Sequence, residues 1–138
     1  MRRCLGILVV TAVALAATPA GAHHDFAITY LTDRTVTIEG ELAQLVFRNP
    51  HSLVHLVVLD SRGREVRYAV EWAAAGELEG QGVTSQTLKV GDHVVVTGSP
   101  GRSPGDHRLR MTTLRRPKDN YSYDSRRSPM TTGRRPAR

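Results

Sequence analysis

Thr35–Phe47 constrains the fold more than any other stretch, because it reads as one long strand whose apolar face changes partway along. Val36, Ile38, Gly40 and Leu42 fall on one side and Thr35, Thr37, Glu39 and Glu41 on the other, the period of two of a half-buried strand. From Ala43 the apolar residues switch sides, with Leu45 and Phe47 taking over, and Gly40 sits just before the switch. A glycine beside a phase slip predicts a bulge or a sharp bend.

The remaining elements follow from the same periodicity. Asn49-Pro50 ends the first strand, since proline brings no N–H to a ladder. Ser52–Leu59 is apolar on both sides apart from Ser52 and His55, so it reads as a central strand. After a tight turn at Asp60-Ser61-Arg62-Gly63, Glu65–Trp72 alternates cleanly, with Val66, Tyr68, Val70 and Trp72 inward. Glycines break the helix formers of Ala73–Gly82, which predicts a short, weak helix, and Thr84 is placed to cap a turn after it. Asp92–Gly98 and Arg108–Leu114 give a fourth and a fifth strand around a Gly/Pro loop. Five strands, a long bent first one and one short helix between the third and fourth predict an all-β, OB-like Greek-key barrel over residues 23–116. A small open sandwich of the same strands is the alternative.

The first residues have the three parts of a signal peptide: Arg2 and Arg3, an apolar run over Leu5–Ala17, and Ala20-Gly21-Ala22. The run is too short for a membrane span, so residues 1–22 are expected to be cleaved and the protein to be periplasmic or secreted. Cys4 is the only cysteine and falls inside this leader, so the mature domain folds without a disulfide.

The net charge of +6 is unevenly placed. Residues 23–114 hold nine Lys and Arg against eleven Asp and Glu, whereas residues 115–138 hold eight against two. The body is slightly acidic and the basicity belongs to the end of the chain. Residues 117–138, rich in Arg, Ser and Pro, are expected to be a disordered tail able to meet an anionic envelope component. Few aromatics and an acidic body argue against a nucleic-acid partner.

Three motifs occur in order: His23-His24-Asp25-Phe26, Asn49-Pro50-His51 and Leu88-Lys89-Val90-Gly91-Asp92-His93-Val94-Val95-Val96-Thr97-Gly98. Together they resemble a domain-of-unknown-function family of small exported bacterial proteins. The resemblance implies export and this arrangement of strands, and no activity.

The histidines carry the one sharp chemical expectation. Cleavage after Ala22 leaves His23 with a free α-amine beside its own imidazole, a nitrogen chelate suited to Cu(II) when a third nitrogen joins it. Near neutral pH the proton cost is modest, since imidazole and α-amine titrate near ~6.5 and ~8. His24, His51 and His55 are the other candidate ligands, with Phe26 the apolar anchor that would hold the arm, expected to be extended over Asp25–Arg34, against the domain. His51 and His55 share a face if the strand already begins at Pro50. The bland alternatives are a turn histidine, a core histidine and a frayed end; His93 and His107 read as solvated. The sequence has no cysteine nucleophile in the mature chain, no G-x-S-x-G, no HExxH and no Walker lysine, so no catalytic residues are assigned. Glu39 and Glu41 share a strand face and read as a wet sheet surface. The expected function is therefore a non-enzymatic, exported copper-binding module, the alternative being a structural or protein-interaction module of the envelope with no metal.

Overall fold

The computed structural model describes residues 26–127. The leader, His23, His24, Asp25 and the last eleven residues lie outside this range.

The described residues form six strands: β1 (Val36–Val46), β2 (Leu53–Leu59), β3 (Glu65–Glu71), β4 (His93–Pro100), β5 (Arg108–Arg116) and β6 (Tyr121–Asp124). Their order is β3-β2-β1-β4-β5-β6, and β3 also pairs in parallel with β5. That extra pairing closes the first five strands into the expected OB-type barrel. A helix, α2 (Ala75–Gly80), lies between β3 and β4 and buries Leu78 in the core.

β1 does what its phase slip requires. Its first half pairs with β4 and its second half with β2, and the register shifts between Leu42 and Gln44. The bulge is thus at Ala43, where the apolar residues change sides. Gly40 serves a different need: a Cβ there would lie 2.2 Å from the Val57 carbonyl oxygen, so only glycine lets the strands pass this closely.

Side chains from every barrel strand fill the interior, among them Leu42, Val54, Leu56, Val70, Val94, Val96, Leu109 and Leu114. Fully burying one such aliphatic side chain contributes roughly 1.5–3 kcal/mol, which explains how the domain stands without a disulfide. Trp72 and Tyr123 meet edge to face, ring centres 5.1 Å apart.

Two expectations are corrected. The segment before β1 is not an extended arm: Phe26–Thr29 forms one helical turn (α1), and Tyr30 then bridges Gly101. The chain beyond Arg116 is not wholly unstructured either. A 3-10 turn at Pro117–Asp119 leads into β6, and Tyr123 is buried in the core cluster. Alternation of Tyr121 and Tyr123 with Ser122 and Asp124 supplies a strand pattern that the surrounding arginines and prolines obscure.

The same segment completes a buried charge cluster. Asp92, 4% exposed, accepts hydrogen bonds from the Lys89 amide (2.9 Å), Arg116 (2.6 Å) and Lys118. Burial pushes the Asp92 carboxyl up, but the bonds from Lys118, Lys89 and Arg116 outweigh it and hold the carboxyl well below the usual range. The Gly-Asp of the third motif is therefore a structural joint between the β4 turn and the end of β5.

A depressed folded-state pKa stabilises the protein above the unfolded value, near ~4, and that contribution is lost as pH falls below it. Asp92→Ala should cost about 3 kcal/mol, because it leaves Arg116 buried beside a void. Urea denaturation at neutral pH measures this loss. Repeating it in steps below pH 4 should give a shallower acid dependence for the variant than for the parent.

Candidate functional site

β5 pairs with β3 through Arg108, Leu109 and Arg110, then with β6 from Thr113 to Arg116. The handover falls at Thr112, where the β4–β5 register also slips by one residue. The end of β3 and the end of β6 part here and leave a cleft of about 540 Å³. Phe26, His51, Glu71, Trp72, Arg110 and Tyr123 are among the residues that line it.

Glu71 is the organising group. It stands on the outward side of β3, opposite Leu53 and Arg110 in the two flanking ladders. Its Oε1 lies 2.6 Å from His51 Nδ1, and its Oε2 accepts a 2.7 Å hydrogen bond from the Tyr30 hydroxyl. Tyr30 is 1% exposed. Burial first, and then the neighbouring Glu71, push the Tyr30 phenol far above its ordinary range, so it stays a donor at any physiological pH. With Nδ1 directed at a carboxylate, the neutral imidazole of His51 carries its lone pair on Nε2.

The NPH motif divides its work. The Asn49 side-chain oxygen accepts from the Gly76 amide at the start of α2, and the Ser52 hydroxyl, fully buried, bonds the Arg48 backbone. Backbone pairing continues past β2 and β3, with Trp72 N donating to Ser52 O and Ser52 N to Ala73 O. Held on both sides, His51 is presented to the cleft.

The segment before β1 reaches the same place. Phe26, expected as an anchor, packs its ring 5.7 Å from that of His51, and the Arg110 guanidinium covers it at 3.2 Å. Arg102 fastens the turn behind it through the Ala27 and Thr29 carbonyls (2.6 and 3.0 Å).

The other candidate ligands separate. His55 is half-buried on the outward side of β2, opposite Ala69 and Gln44, and does not line the cleft. It stands four positions after His51, a separation of roughly 13 Å along extended chain, and β2 begins at Leu53 and not at Pro50. His23 and His24 lie outside the described residues. Among those described, no three His, Cys, Asp or Glu side chains gather as a metal site. His93 pairs with Glu39 at 2.7 Å on the exposed face, and His107 lies against the Tyr68 ring. Glu71, Tyr30 and Arg110 were not singled out by spacing, since barrel closure and not sequence proximity brings them together.

Fold and cleft define a closed, OB-type barrel with a histidine and a bonded carboxylate at the seam of its closure. The chain belongs to a family of unknown function, DUF6152, whose model matches residues 11–110. That span includes the stretches of all three motifs and most of the barrel, and it stops within β5. No curated protein matches the chain. Among the described residues no helix is long and apolar enough to cross a membrane.

Tyr30→Phe removes one bond to a charged acceptor and should lower stability by about 2 kcal/mol in urea denaturation. A raised phenol pKa stabilises the fold below the unfolded value, near ~10, and the benefit is lost as pH rises past it. The parent should therefore lose stability above pH 10 more steeply than Tyr30→Phe.

Proposed function

We propose that this chain is a small exported binding module that holds Cu(II) through the α-amine and imidazole of His23, with His51 as the third nitrogen and His24 beside it. The observation that carries the reading is the Phe26–His51 contact. Two and three residues of chain span at most ~7 and ~11 Å, so anchoring Phe26 on His51 tethers His24 and His23 to its neighbourhood. Glu71 adds the second support: ligating histidines commonly give their other ring N–H to a carboxylate, which fixes the tautomer and orients the ring. His55 drops out of the proposed ligand set because of its distance along β2.

The alternative, an envelope module working through the basic end of the chain, has less to work with than the sequence suggested. Arg116 and Lys118 serve Asp92, and Arg126 pairs with Asp124. It rests instead on Arg127 and the arginines beyond it.

Mass spectrometry of the mature protein should find a start at His23. Cu(II) titration of that protein should give one tight equivalent with a nitrogen-rich EPR spectrum, and His51→Ala should change the spectrum. Glu71→Gln should weaken binding about tenfold, as losing an outer-shell partner does. A spectrum identical in the parent and in a His23→Ala, His24→Ala variant contradicts the proposal.

A further inference from the structure

Trp72 lines the cleft with 4% of its surface exposed, and its indole N–H is a buried donor with no hydrogen-bond acceptor among the described residues. Buried donors in native proteins are almost always bonded, so an unbonded one on a residue that lines a cleft points to an acceptor from outside the described residues. Tyr123 does not serve. Burial pushes its phenol up and the adjacent indole draws it partly back, but the two groups lie outside hydrogen-bond geometry.

The rest of the lining has the chemistry of a small-molecule site. A volume of about 540 Å³ is in the range that accepts small organic ligands. The Trp72 and Tyr123 rings and the Met111 side chain give an apolar wall. Arg110 and Arg126 bring two cations to the same cleft. Of the two acids present, Glu71 has both oxygens hydrogen-bonded, by Tyr30 and His51, and Glu77 stands exposed at the rim. Arg126 is the more exposed cation: its side chain is 72% exposed and paired with Asp124 two residues away, a surface pair of little strength.

We propose that the cleft binds a small carboxylate with a flat apolar body, the carboxylate accepting the Trp72 N–H and pairing with Arg126 while the body lies against Trp72 and Tyr123. Arg110, already stacked on Phe26, adds long-range attraction. Every residue in this site is among those described, and the inference does not rest on the copper reading.

Trp72 is the only tryptophan in the chain, so its indole N–H resonance and its fluorescence report on this site alone. Benzoate is the probe, with benzylamine and benzyl alcohol as charge controls, titrated into the EDTA-treated mature protein. Benzoate should shift the indole N–H resonance in a saturable manner and the two controls should not. Arg126→Ala should weaken benzoate severalfold and flatten its salt dependence. Trp72→Phe, which keeps a ring and removes the donor, should weaken it about tenfold or more, read by the Tyr123 resonances. Absence of a saturable shift, equal binding of benzylamine, or unchanged affinity in both variants overturns the proposal. Because EDTA removes copper, each of these outcomes is independent of whether the metal proposal survives.

Discussion

One edge of a strand can hydrogen-bond only one neighbour at a time, and the molecule is arranged around how β5 divides that edge. Its first residues are given to β3 and close the barrel; its last are given to β6. Between them the strand carries a bulge at Thr112, and a Cβ on Gly98 opposite would lie 2.0 Å from the Arg110 carbonyl oxygen. The closure is tight on the β4 side and open on the other. The cleft is the space left where two collinear strands end against the same partner.

That seam explains why the functional groups come from such distant parts of the sequence. Glu71 ends β3, Arg110 lies opposite it on β5, and Tyr30 and Phe26 come from the segment that crosses over Pro100 and Gly101. Glu71 joins them because a carboxylate at a half-buried position must find donors for both oxygens. It takes one from the buried Tyr30 and one from His51. The segment before β1 and the NPH loop are thereby fixed relative to one another through a single side chain. Arg110 reinforces this by covering Phe26.

Most of the barrel was legible in the sequence because its cause is local. Period-two alternation gave β1 through β5 to within about two residues at each end. The slip after Leu42 gave the bulge, though its place is Ala43 and the nearby Gly40 answers to the Val57 backbone instead. β5 carried a similar signal: Leu109 and Met111 are inward and then Leu114, a change of phase that marks Thr112. β6 was hidden because four residues of Tyr-Ser-Tyr-Asp among arginines look like tail composition, and only the Trp72 ring gives Tyr123 a reason to be buried. The candidate site was less legible. His51 and Phe26 could be read from the motifs, and the strand rise alone sets His51 and His55 roughly 13 Å apart, but the Glu71 bonds depend on barrel closure, which a one-dimensional pattern does not record.

The central claim is that the segment leading into the domain is seated on the closure seam, with Phe26 between His51 and Arg110. The chain has two phenylalanines, so the Phe26 ring is readily assigned by NMR in the protein beginning at His23. Nuclear Overhauser contacts from that ring to both the His51 imidazole and the Arg110 side chain are the predicted result. A Phe26 ring with no contact to either, in a protein whose β3–β5 contacts are intact, would contradict the account.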